Sequence, residues 1–295
     1  MSDRGRGYLY LASAMVLVGS TVIASKLIAA GLPPFTATAL RFAIALPVFI
    51  VLMRLTGTAW PRPRRRDALI LLVQAGAGSV GYTTLLISGM ALTSAADAGV
   101  IIGTLPVVSA AIAVIILGER PRPAVVLAVI LAAAGVIAIA LQPGEAGTSS
   151  LLGNVLIFAA VVCEGLFILL NKRLAVPIPA LAQSTVMTAL GLAIAAVPAI
   201  AFETAQTMAL AALPVGAIAA VAYYAVVPTV GGFLLWYAGA ARTSGAEAAL
   251  FTALAPVSAV AFAATLLGEP VGLNQMAGIG CVLVAVLSLS LAPRS

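Results

Sequence analysis

The sequence predicts an all-α integral membrane protein: ten transmembrane helices, forming two inverted five-helix repeats with both termini cytoplasmic. Three observations predict it. The 295-residue chain is 63% hydrophobic and only 8% charged, whereas a water-soluble domain carries about a quarter charged residues. Apolar stretches of membrane-spanning length, about 20 residues, recur along the chain with Pro, Gly or charge at most junctions. Short motifs also recur in both halves in one order.

The predicted segments are 7–30, 34–56, 67–90, 94–117 and 123–141, then 152–173, 178–201, 211–240, 244–267 and 271–291. The first follows Arg4 and Arg6 and resembles a signal peptide. Tyr8 to Ala30 is too long for a signal core, and similar segments follow it, so it reads as a membrane helix. Gly31-Leu32-Pro33-Pro34 separates it from the second. Trp60-Pro61-Arg62-Pro63 precedes the third, Gly118-Glu119-Arg120-Pro121 the fifth, and Gln142 to Ser150 forms the longest polar linker. Cytoplasmic loops gather Lys and Arg. With both termini inside, Arg4, Arg6, Arg54, Arg62, Arg64, Arg65, Arg66, Arg120, Arg122, Lys172, Arg173, Arg242 and Arg294 fall on one side. The opposite loops carry Glu145, Glu203 and Glu269. A missed helix would scramble these sides. Lys26 is the main exception, near the outer end of the first segment.

Composition excludes several functions. The chain has no His, which removes the commonest acid/base and metal-ligand side chain. Cys163 and Cys281 lie in apolar stretches and read as buried small hydrophobes, not as a disulfide or a metal site. The net charge of +6 flanks apolar segments and forms no solvated basic face, which argues against a nucleic-acid partner. There is no Walker-type loop and no nucleophile triad. The expectation is a non-enzyme without cofactor or metal, driven by a gradient, with the bilayer and a small solute as its partners and no obligate protein partner.

The repeat is specific. Thr93-Ser94-Ala95-Ala96-Asp97-Ala98 aligns with Thr243-Ser244-Gly245-Ala246-Glu247-Ala248, and Pro106-Val107 aligns with Pro256-Val257 at the same offset. Leu117-Gly118-Glu119 aligns with Leu267-Gly268-Glu269, while Gly19 and Lys26 align with Gly165 and Lys172. The domains are therefore 1–145 and 146–295. Five helices per half is an odd number, so the second half enters the membrane upside down. Inverted repeats suit alternating access through a midplane site.

These motifs resemble those of the drug/metabolite transporter superfamily, EamA type, over nearly the whole chain. Gly19-Ser20-Thr21 with Lys26 is similar to the family's W-G-S/T…K stretch, with Val18 in place of Trp, and Leu40-Arg41-Phe42 is similar to its L-R-F. The closest resemblance is to YddG-type amino-acid exporters of bacterial inner membranes. It implies ten helices, a central cavity and export of aromatic or other hydrophobic amino acids, Met and Thr included. The alternative is proton-coupled export of cationic drugs or other small metabolites.

Candidate site residues follow from cost and symmetry. Glu164 lies deep in an apolar segment, where a carboxylate costs roughly 3 kcal/mol and marks function by default. It is a candidate for a substrate ammonium or for a proton. Tyr82 and Tyr224 offer aromatic faces with hydroxyls, Gln74 is the repeat mate of Tyr224, and Asn171 and Phe251 are further lining candidates. Gly19 and Ser20 give a solute access to backbone. Lys26 is a candidate for drawing in a carboxylate, whereas Arg41 reads as structural, bonding carbonyls or Asp97. Trp236 and Tyr237 read equally as an interfacial belt. Gly78, Gly81, Pro106, Pro228, Gly231 and Pro256 are candidate hinges, because Pro frees a carbonyl and Gly permits bending.

Overall fold

The computed structural model describes residues 2–117, 126–127, 130–131, 134, 150–171, 173–175, 178–208, 214–243, 251–252 and 254–291. Among them there are helices and turns but no strand. The helices are α1 Asp3–Ala29, α2 Pro34–Thr56, α3 Arg65–Met90, α4 Ala95–Ile102, α5 Leu105–Leu117 and α6 Leu151–Asn171. Then come α7 Ala180–Thr207, α8 Val215–Ala240, α9 Leu254–Leu266 and α10 Leu273–Leu291. Among the described residues, six (α1, α2, α3, α6, α7 and α8) are long and apolar enough to cross a membrane. Most of segment 123–141 lies outside the described residues, as do Glu119, Glu145, Lys172, Ser244 and Glu247.

Helix ends follow local chemistry. The Ser2 hydroxyl accepts the Gly5 N–H at 3.1 Å and starts α1, satisfying one of the orphan donors of a helix N-terminus. Pro34 opens α2, where a missing N–H costs nothing. Gly57 closes it at φ +65°, the left-handed cap that glycine adopts without strain.

Two carboxylates from the second half cap helices of the first. Glu203 accepts the N–H of Phe35 at 3.1 Å, the N–H of Thr36 at 2.6 Å and the Thr36 hydroxyl at 2.9 Å. Glu269 accepts the N–H of Ala95 at 3.2 Å and that of Ala96 at 3.0 Å. Each negative charge meets the positive end of a helix dipole. This explains why α7 runs past residue 201, where the sequence pattern predicts its end: Glu203 is neutralised by α2. Glu203→Ala is expected to cost about 2 kcal/mol or more, since it removes three bonds to a charged acceptor. The check is the melting midpoint in detergent, and an unchanged midpoint would contradict the assignment.

The fourth segment, predicted as one helix over 94–117, is interrupted by a turn at Gly103 and Thr104. Pro106 offers no N–H to Ile102, and the Thr104 hydroxyl donates to the Ile101 carbonyl at 2.7 Å. Pro106 and Pro256 thus stand in the first turns of α5 and α9, where proline is tolerated.

Three long helices carry wide-turn insertions, the shortest being Ala199–Glu203 in α7. Gln74–Gly81 in α3 and Ala225–Gly232 in α8 are π-helical, eight residues each. Such turns are rare and concentrate at functional sites. The two longer ones sit at matching places in the two halves: Gln74 opens the first, and its mate Tyr224 directly precedes the second. The packing mirrors this match. Helix α1 packs on α8 and α9, its counterpart α6 packs on α3, α4 and α5, and α2 packs on α7. Small residues let these helices approach. A Cβ on Gly19 would meet the Ala255 carbonyl of α9 at 2.7 Å, and one on Gly78 would meet Phe167 Cδ2 of α6 at 2.8 Å.

Candidate functional site

A central cavity opens where α1, α2, α3, α6 and α8 converge, with Leu105 and Thr252 also in its wall. Its unfilled space, open mouth included, is about 730 Å³. Phe167, Phe233 and Trp236 make one part of the wall apolar and aromatic. Arg41, Glu164, Tyr82, Tyr224, Ser79 and Thr83 bring polar groups to it.

The π segments place several of these residues. Gly78 and Ser79 lie in that of α3, with Tyr82 and Thr83 just beyond it; Pro228, Thr229 and Gly232 lie in that of α8. Pro228 cannot donate to the Tyr224 carbonyl one α-turn back. The Thr229 hydroxyl donates there instead, at 2.8 Å. The deviation from α geometry is thereby paid in a local hydrogen bond, and the Tyr224 side chain stays on the cavity side.

The electrostatics are unusual for an apolar interior. Arg41 is 4% exposed. Its guanidinium carbon lies 4.6 Å from the centre of the Tyr224 ring and 4.1 Å from that of Phe42. Its Nε is buried without a hydrogen-bond partner. Glu164, half-buried on α6, makes no hydrogen bond or ion pair among the described residues. Arg41 and Glu164 line the same cavity but do not form an ion pair. Ser79 Oγ and the hydroxyls of Tyr82 and Tyr224 are likewise buried without partners; Thr21 and Thr83 stand near the Tyr224 hydroxyl without closing a bond to it. Native interiors pair nearly all buried polar groups. Four unpaired ones in a single wall mark a place built for a polar visitor.

The structure brings Glu164, Tyr82, Tyr224, Gly78 and Pro228 to this wall. The other candidates lie elsewhere. Fully buried Gln74 donates from Nε2 to the Phe167 carbonyl at 3.0 Å and ties α3 to α6. Asn171 accepts from Gln183 Nε2 and ties α6 to α7. Ser20 and Tyr223 bond through their hydroxyls at 2.8 Å, joining α1 to α8, while Gly19 faces α9. Phe251 packs its ring 5.3 Å from that of Tyr8. Gly81 backs onto Cys163, and Gly231 onto Leu17. Pro106 and Pro256 stand in the first turns of α5 and α9 and do not line the cavity. Lys26 requires a correction: its ammonium donates to the Thr93 carbonyl at 2.5 Å, so it braces the end of α3 and does not face the cavity.

Arg41 requires the opposite correction. It does not bond Asp97, which instead accepts from Gln275 Nε2 at 2.9 Å; it supplies the cavity's positive charge. The signal was available, because Arg41 sits as deep in its apolar segment as Glu164 does in its own. Trp236, read equally as an interfacial anchor, also lines the cavity, as do Ser79, Thr83 and Phe167.

The sequence model of the EamA-like transporter family matches residues 5–141 and again residues 151–291. The uncharacterized transporter YetK of Bacillus subtilis strain 168 is 34% identical over 279 residues, covering 94% of this chain and 84% of that protein. The uncharacterized transporter YyaM of the same organism is 26% identical over 290 residues, covering 96% and 93%. A solved crystal structure shares the fold, with TM-score 0.64 at 21% identity over 97% of this chain and 96% of its own. A family match on each side of the central linker, together with apolar helices enclosing a cavity, leads to one conclusion: the chain belongs to the EamA-like transporter family, whose members are membrane transporters and not enzymes.

Proposed function

We propose that the chain exports amino acids with aromatic or other hydrophobic side chains, Met and Thr among them, across the inner (plasma) membrane. The observation that carries this reading is the cavity wall itself. It joins aromatic surface from Phe167, Phe233 and Trp236 to an unpaired carboxylate, Glu164, suited to an ammonium group. A purely cationic drug fits less well, because Arg41 brings a positive charge to the same wall.

In this reading, residues 1–145 and 146–295 are inverted five-helix repeats, ten spans in all, with both termini cytoplasmic. The mirrored packing and the matched π segments support it. The cavity takes residues from both halves, so exchanging their conformations opens it to alternate sides. Gly78, Gly81, Pro228 and Gly231 lie in the π segments, where backbone bonding is already loosened. Pro106 and Pro256 mark the starts of α5 and α9. No ATP-binding motif accompanies the cavity, so a gradient of solute or ion drives the cycle.

The test is flux of radiolabelled amino acids in proteoliposomes, with and without a pH gradient. Saturable flux of Phe, Met or Thr is expected, and its response to the gradient decides on proton coupling. Proton-dependent flux of a quaternary ammonium dye, with no amino-acid flux, would install the drug-exporter reading instead.

A further inference from the structure

We infer that Arg41 anchors the carboxylate of the transported solute, so that the cavity holds an α-amino acid by both of its charged ends. The inference rests on the amino-acid reading and supplies the half of the zwitterion that Glu164 cannot take.

Arg41 projects from α2 into the wall and is 4% exposed, with Nε buried and unpartnered. A buried cation without its anion is among the costliest groups in an interior. Other buried charges here are spent on structure: Glu203 caps α2 and Asp67 accepts the Ala175 N–H at 3.3 Å. No carboxylate pairs with Arg41 among the described residues. Glu164, the acid that shares its cavity, forms no ion pair with it. The cavity wall thus holds a cation and an anion that do not pair with each other, the charge pattern complementary to a zwitterion.

The guanidinium is also held in orientation. Tyr224 and Phe42 lie against it at 4.6 and 4.1 Å, and ring contacts of this kind restrain an arginine head group. A planar fork of that kind matches a carboxylate with two parallel bonds, which a lysine cannot do. The unpaired hydroxyls of Tyr82 and Tyr224 and Oγ of Ser79 line the same wall and add donors for the remaining lone pairs. Shape and charge together select a free α-amino acid over a simple amine or a simple acid.

The experiment measures binding to the full-length protein in nanodiscs, using three probes of one shape: L-phenylalanine, phenethylamine (no carboxylate) and 3-phenylpropionate (no ammonium). Wild type is compared with Arg41→Gln and Arg41→Lys, and melting curves verify folding. Phenylalanine is expected to bind wild type most tightly. Arg41→Gln should weaken phenylalanine and 3-phenylpropionate by about 10- to 100-fold and should strengthen phenethylamine, which loses a like charge from its wall, with Arg41→Lys between. Phenylalanine binding that is equal in wild type and Arg41→Gln overturns the anchor while the amino-acid reading stands. Arg41-dependent binding of 3-phenylpropionate without binding of phenylalanine keeps the anchor and overturns the amino-acid reading. Binding of none of the three overturns both.

Discussion

Gly232→Trp is expected to abolish transport in a protein that still folds. Gly232 is buried in the π segment of α8 and lines the cavity, yet a Cβ built on it meets no atom within 4 Å. A side chain there grows into empty space and not into a neighbouring helix. An indole brings roughly 150–250 Å² of surface into the place a small solute must occupy. Flux should fall at least about 100-fold, equivalent to nearly 3 kcal/mol, while the melting midpoint stays near wild type or rises as the void fills. A graded series sharpens the test: Ala tolerated, Leu reduced, Trp inactive. The contrast is Gly78, also in the wall, where a Cβ would meet the Phe167 backbone at 3.0 Å. A large side chain there should unfold the protein before it plugs anything. If Gly232→Trp transports at the wild-type rate with normal folding, the solute does not pass through this cavity.

Glu164→Gln is expected to give the second-largest loss, with an unusual accompaniment. The carboxylate has no partner among the described residues, so within the protein it is a net cost. A bond from an ammonium to such a group is worth about 1.5–3 kcal/mol, and its loss should weaken phenylalanine and phenethylamine by roughly 10- to 100-fold. Removing the charge should at the same time raise the melting midpoint, because an ionised group in an apolar interior is unfavourable until something pairs with it. Weaker binding with higher stability is the signature of a group kept for function. Calorimetric titration and a thermal melt on the same preparation measure both. Unchanged affinity for both amines would remove Glu164 from the site.

The spans were legible in the sequence because they follow from solvent. Apolar runs of fixed length and Pro or Gly at their ends located α2 to the residue and most others within a few residues. What periodicity could not show was where a helix changes its turn. The α3 segment Gln74–Gly81 and the α8 segment Ala225–Gly232 read as ordinary apolar helix with extra glycine; their π geometry arises from tertiary fit. At the site, Glu164, Tyr82 and Tyr224 were visible by cost and symmetry. Arg41 was visible too but was read as a structural residue bonding carbonyls or Asp97, whereas Asp97 bonds Gln275 and Arg41 lines the cavity. Gln74 and Asn171 were polar for a different reason: each spends its amide holding a neighbouring helix. Sequence cost identifies an expensive side chain; only the fold distinguishes a group that has found a partner from one still waiting for it.

The two caps supplied by Glu203 and Glu269 have a consequence for ancestry. Both acids belong to the second half, and both close helix starts in the first. A chain truncated after residue 145 would keep all five apolar runs of the first half. It would nonetheless leave the leading N–H groups of α2 and α4 without their carboxylates. The present halves are thus no longer two interchangeable copies: one has become a donor and the other a recipient, and neither can be inherited without the other.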